Sequence, residues 1–115
     1  MMKGVLVYIS GPISPSNGLI VERNVVNALE VFFDLSRRRI PAFCPHIQAI
    51  YPSAHQIDYR LWMDYDLAVI DRCTHMLMLE NFRESKGALE EMAYAVKIKI
   101  PIAYSINELL AILKE

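Results

Sequence analysis

Glu91 and Asp66 are acids in places where a solvated acid is not expected. Glu91 falls on a helical stripe with Gly87, Ala88, Tyr94, Ala95 and Ile98, which are small or apolar, so its carboxylate is directed into a recess. Its neighbour Glu90 lies four residues after Lys86 and seven before Lys97, the spacing of a solvated, ion-paired face. Asp66 aligns in the same way with Tyr59, Trp62, Met63 and Ile70, whereas Asp64 and Asp71 share a face with Arg60. Desolvation on an aromatic stripe raises a carboxyl pKa, which suits a general acid near neutral pH. A helix-edge carboxylate held by a backbone or tyrosine hydrogen bond is the competing reading of Asp66. Two recessed carboxylates, one on each helix, meet the demand of glycosidic-bond chemistry for a nucleophile at the anomeric carbon and an acid for the leaving group.

Other residue clusters are less pointed. Ser85-Lys86-Gly87-Ala88 places a hydroxyl and two small residues on a first helical turn, where free N–H groups and the positive dipole end receive an anion or polar ligand. Taken alone, the same residues read more readily as an N-cap and a packing accommodation. Cys44, His46, His55, Cys73 and His75 lack the paired spacing of a zinc site, so no metal is expected. Cys44 has no orienting third group and reads as a buried thiol rather than a nucleophile. Neither GxxxxGK[ST] nor GxGxxG occurs. Tyr94, Trp62 and Tyr65 stand at the spacings of core aromatics, with Trp62 the one directed at the site.

The elements that must position these groups follow from hydrophobic period. Gly4 to Ile9 is a continuous β-branched and aromatic run, the mark of a strand covered on both faces, and it stops at Ser10-Gly11-Pro12. Leu19 to Arg38 carries Val25, Ala28, Leu29, Phe32 and Leu35 at helical spacing. Ile40 to Phe43 is a second strand, followed by a long loop to Ile57; Asp58 to Arg72 is a helix and His75 to Leu79 a third strand. Ser85 to Lys99 is a helix, Ile100 to Tyr104 a fourth strand, and Ser105 with Glu108 a capping box for a last helix, Ile106 to Lys114. This alternation predicts an α/β, doubly wound parallel sheet with helices on both faces, in which ligands bind beyond the carboxyl ends of the strands. The loops to inspect are Ser10 to Asn17, Cys44 to Ile57 and Glu80 to Gly87.

A length of 115 residues, 54% of them hydrophobic, predicts one domain over residues 1–115 with its own core. Twelve basic and thirteen acidic residues leave a formal charge of −1, with no basic run beyond Arg37-Arg38-Arg39, so a nucleic-acid polymer is not an expected partner. Two cysteines make no disulfide framework and no signal peptide or membrane-spanning run is legible, so the expected location is the cytoplasm.

Three stretches then carry a family resemblance: Tyr8-Ile9-Ser10-Gly11-Pro12 after the first strand, Trp62-Met63-Asp64-Tyr65-Asp66-Leu67, and Ser85 through Ala95. Together they resemble the nucleoside 2-deoxyribosyltransferase family, in particular its short deoxyribosyltransferase-like members, over nearly the whole chain. The resemblance implies a flavodoxin-like, Rossmann-like fold and exchange of the base of a 2'-deoxynucleoside. In the nucleotide hydrolase branch it implies cleavage of a deoxynucleoside monophosphate by water, and neither reaction requires a metal or an organic cofactor. Glu91 then matches the nucleophile, Asp66 the carboxyl group that handles the base's proton, and Tyr8 the tyrosine that orients the nucleophile. Ser10, Gly11, Pro12, His46, Trp62, Ser85 and Gly87 match substrate-binding positions. The partner implied is a small nucleoside or nucleotide, met by a homodimer or higher oligomer in which the His46 to Ile57 loop completes a neighbouring site. The departures are Thr74, where relatives often carry an aspartate, Pro12, where the hydrolases carry a phosphate-contacting serine, and four strands in place of five. A non-catalytic nucleotide-binding domain is the alternative from another class.

Overall fold

The structure is a computed structural model and describes residues 1–12, 18–50 and 58–114. In chain order it holds β1 (Val7–Ser10), α1 (Gly18–Arg37), β2 (Ala42–Phe43), a 3-10 turn (Pro45–Ile50), α2 (Tyr59–Ile70), β3 (His75–Met78), a second 3-10 turn (Phe82–Glu84), α3 (Lys86–Ile98), β4 (Ile102–Ala103) and α4 (Ile106–Leu113). The sheet runs β2-β1-β3-β4 with every pair parallel, the order of the first four positions of a flavodoxin-like sheet. Val7 pairs with Ala42 on one side and His75 on the other, and Ser10 pairs with Met78. The chain leaves β1 for one neighbour and later returns to the other, so the switch in strand order opens at the carboxyl ends of β1 and β3.

Alternation along the strands divides the interior into two layers. Val7, Ile9, Leu77, Leu79 and Ala103 join Ala28 and Leu35 of α1 and Leu109 of α4. Tyr8, Met76 and Met78 join Ile70 of α2 with Ala88 and Ala95 of α3. β1 is buried on both faces, as its unbroken apolar run requires. Ser10 is the polar exception, on the face that carries Tyr8.

The helix ends follow from side chains that serve free N–H groups. Asp58 accepts from Leu61 N at 2.9 Å, Ser85 from Ala88 N at 3.0 Å and Ser105 from Glu108 N at 3.1 Å. Asp58 and Ser85 therefore cap their helices from outside rather than belonging to them. The strands are shorter than their apolar runs. Gly4 has φ +70°, a turn conformation, and Pro41 and Pro101 have no N–H to give to a ladder. The stretch after β2, expected as irregular loop, begins as a 3-10 turn with Pro45 in its first position, where a missing N–H costs nothing. The remainder of that loop from 51 to 57, with His55, and residues 13–17 of the loop after β1 lie outside the described residues.

Thr74 sits at the amino end of β3, where its hydroxyl accepts from Leu6 N at 2.9 Å and lies 3.2 Å from Leu6 O. Thr74 therefore falls at the end of the sheet opposite the carboxyl ends of the strands. Among the described residues no helix is long and apolar enough to cross a membrane.

Candidate active site

The carboxyl end of β1 supplies two hydroxyl groups to one face of the sheet. Tyr8 and Ser10, two residues apart, both point toward the layer formed by α2 and α3. There the Tyr8 hydroxyl donates to Glu91 Oε2 and the Ser10 hydroxyl to Glu91 Oε1, each at 2.8 Å. Helical period brings Glu91 inward on α3 between Ala88 and Ala95, and it is 4% exposed. Asp66 enters from α2 on the stripe of Met63 and Ile70, is 6% exposed, and lies within interaction range of both the Glu91 carboxyl and the Tyr8 hydroxyl. The two acids singled out by period thus meet in one cluster, each on a different helix.

Burial raises the pKa of Glu91, the negative charge of Asp66 adds to that, and the bonds from Ser10 and Tyr8 work against it. Burial is also the largest influence on Asp66 and raises it, opposed by its contacts with Glu91 and Tyr8. Two carboxyl groups this close, out of water, do not both ionise near neutrality, and the pair holds one proton between them. Tyr8 is pushed far above the normal phenol range, first by burial and then by the two acids, so it stays a donor at every working pH. Asp66 Oδ1 has no hydrogen-bond partner among the described residues. An unpartnered oxygen on a buried acid is costly, and a ligand donor or acceptor would relieve it.

Gly11 and Pro12 continue from this cluster and are buried. A Cβ on Gly11 would lie 2.6 Å from Leu79 Cδ1, so the turn requires glycine for close passage over β3's end. His46, fully buried in the 3-10 turn after β2, has its pKa lowered to about 4 by burial, against which the backbone of Gly11 and Pro12 acts. Its Nδ1 is 3.7 Å from Cys44 Sγ, while Nε2 makes no hydrogen bond of normal geometry among the described residues. His46 is therefore a neutral imidazole beside the Gly11-Pro12 turn, and Cys44 is the buried thiol expected of it.

The remaining expected positions lie along the seam between α2 and α3. Ser85 is committed to its cap, and a Cβ at Gly87 would meet Met63 Cε at an unstrained 3.5 Å, so neither residue is shaped by the carboxyl cluster. Trp62 is half-buried one turn before Asp66 and meets Tyr65 edge-on at 6.2 Å. Of the three aromatics expected at core spacings, Trp62 and Tyr94 are half-buried and Tyr65 is exposed. Tyr59, on the Asp66 stripe, is 44% exposed because it belongs to a polar clamp between the two helices. Tyr59 donates to Glu90 Oε1 at 2.7 Å, and Arg60 reaches Glu90 Oε2 at 3.3 Å and Asp64 at 3.1 Å. Glu90 is paired as expected but across helices, with Arg60, while Lys86 lies over the Tyr59 ring. The sequence reading placed Ser10 with the substrate; its bond to Glu91 was not foreseen, and a hydroxyl two residues from Tyr8 on the same strand face is the pattern that would have shown it. No grouping of three or more His, Cys, Asp or Glu among the described residues is placed to hold a metal ion.

Fold and cluster together define a parallel α/β domain with a buried, hydroxyl-braced carboxyl pair at the carboxyl ends of its central strands. Over residues 5–104 the chain matches the family described as a domain of unknown function, DUF4406, and it belongs to that family. No curated protein matches the chain.

Proposed function

We propose that this protein cleaves or exchanges the N-glycosidic bond of a 2'-deoxynucleoside or related nucleoside, as the resemblance to nucleoside 2-deoxyribosyltransferases implies. The observation that carries the reading is the Glu91–Asp66 pair, with one hydroxyl donor on each Glu91 oxygen and a free oxygen on Asp66. Glu91 attacks the anomeric carbon as a carboxylate and forms a glycosyl ester. The C–N bond breaks, its electron pair leaves with the base, and the base takes the proton held by Asp66. A second base or water then attacks the same carbon, gives its proton to the Asp66 carboxylate and releases Glu91, which restores both acids. Metal and organic cofactors have no part in this scheme. In this reading the protein is a cytoplasmic homo-oligomer acting on small molecules.

The test is chromatographic. Purified protein is incubated with a panel of 2'-deoxynucleosides, with and without a second free base, beside Glu91→Ala. New nucleoside formed by wild type alone supports transfer through Glu91, and free base without exchange moves the assignment to hydrolysis. No turnover of nucleosides or of their 5'-monophosphates overturns the enzyme reading, and nucleotide-induced thermal stabilisation without turnover would replace it with a binding domain.

A further inference from the structure

The two carboxyl groups are alike in burial but not in their donors: the Tyr8 hydroxyl gives its one proton to Glu91 Oε2 at 2.8 Å and acts on Asp66 only from nearby. Ser10 adds a second difference. Ser10 donates to Glu91 Oε1 at 2.8 Å, is itself wholly buried, and makes no contact with Asp66 that influences its charge. Every other group acting on Glu91 from a packed element is neutral or repels a second charge: Tyr8 from β1, and Asp66 and the more distant Tyr59 from α2.

We propose that Ser10 is a positioning residue that, together with Tyr8, decides which carboxyl carries the shared proton, holding Glu91 as the anion and leaving the proton on Asp66. The inference rests on the reading of Glu91 as nucleophile and Asp66 as acid, because those roles need that distribution of charge and no other. A hydroxyl can serve either partner of a dyad, but a donor bound to one oxygen stabilises only the ionised form of that carboxyl. Tyr8 works in the same direction from Oε2, and Ser10 supplies the donor that the other oxygen needs. With Ser10 removed, Glu91 Oε1 is left buried without a donor, and protonating Glu91 from Asp66 becomes the cheaper arrangement. The nucleophile is then neutral and the acid is spent, although both carboxyl groups are still present. Ser10 need not touch the substrate for this, and the cluster already commits its hydroxyl elsewhere.

The experiment follows the carboxyl carbons of protein labelled with 13C in glutamate and aspartate side chains, titrated by NMR for wild type, Ser10→Ala and Ser10→Cys, with Glu91→Gln and Asp66→Asn to assign the two resonances. Ser10→Ala should raise the titration midpoint of Glu91 by about one to two pH units and lower that of Asp66. Ser10→Cys, nearly the same size and a weaker donor, should fall between wild type and the alanine variant. A Glu91 midpoint unchanged or lowered in Ser10→Ala, or a cysteine variant outside that order, overturns the proposal. Rates with the best nucleoside supply the functional arm: the acid limb of the kcat/KM profile should move up in pH by the same interval. If no nucleoside is turned over while the NMR midpoints shift as stated, the catalytic reading falls and the control of the proton by Ser10 stands.

Discussion

Replacing Glu91 by glutamine should change how stability depends on pH more than it changes stability at any one pH. In the folded protein burial raises both acids, Glu91 from 4.5 to about 8 with Asp66 as its second cause, and the proton so retained belongs to the pair rather than to either carboxyl alone. The native state therefore keeps a proton that the unfolded chain releases. This contribution is fully present below pH ~4.5 and is lost as pH rises through about 8, so unfolding free energy falls across that window. One extra proton bound by the native state gives a slope of about 1.4 kcal/mol per pH unit, or roughly 2.7 kcal/mol between pH 5 and pH 7. Glutamine cannot titrate, accepts from Ser10 or Tyr8 through its carbonyl, and offers its amide to Asp66. Asp66 titrates in both proteins but meets a second carboxyl only in wild type, so the difference between the two stability curves reports the proton that the pair shares. Urea unfolding of wild type and Glu91→Gln at fixed protein concentration, at half-unit steps from pH 5 to pH 8, supplies both curves. They should converge on one another or cross with rising pH, the variant gaining on wild type. Curves that stay parallel would mean that the pair binds no extra proton in the fold, and the shared proton would have to be abandoned.

Two further outcomes follow from the packing. Gly11→Ala drives a methyl group into Leu79, with contacts of 2.6 to 2.9 Å to a residue that is itself buried, and should cost about 1–3 kcal/mol in urea unfolding. Leu79→Ala in the same chain should recover part of that loss, and an additive double-mutant cycle would show that the two residues do not collide. Ser85→Ala removes the α3 cap and should cost about 1 kcal/mol while leaving KM for any nucleoside substrate unchanged. A rise in KM with stability intact would place the Ser85 hydroxyl on the ligand instead.

Much of this fold can be read from period and punctuation, because both layers are built on strict alternation. Val7 and Ile9 against Tyr8 and Ser10 give β1 two buried faces, and the 3.6-residue period of α2 and α3 separates Asp66 from Asp64 and Glu91 from Glu90. What escaped is what depends on neighbours distant in sequence. The exposed ring of Tyr59 reflects a hydrogen bond to Glu90, 31 positions away, and no local pattern announces it. Ser10 and Glu91 are separated by 81 positions, so the second donor on the carboxylate becomes visible only once β1 and α3 are stacked. Strand lengths were overestimated at Gly4, Pro41 and Pro101 for a simpler reason: apolar composition says where a chain is buried, and ladder hydrogen bonding needs φ and N–H as well.

The two contacts of the Thr74 hydroxyl with Leu6 at the far end of β1 have a bearing on chemistry that their distance from the site conceals. Side chains on a strand exchange faces with every single-residue step. A slip of one position between β1 and β3 would turn Val7 and Ile9 toward α2 and α3 and send the hydroxyls of Tyr8 and Ser10 into the mainly apolar layer beneath α1 and α4. Glu91 would then face aliphatic carbon with no donor at all. Thr74 binds both the N–H and the carbonyl side of Leu6, immediately before β1 begins, and so marks one alignment of the two strands as preferred. A threonine hydroxyl at one end of the sheet thereby keeps the alignment on which an acid at the other end depends.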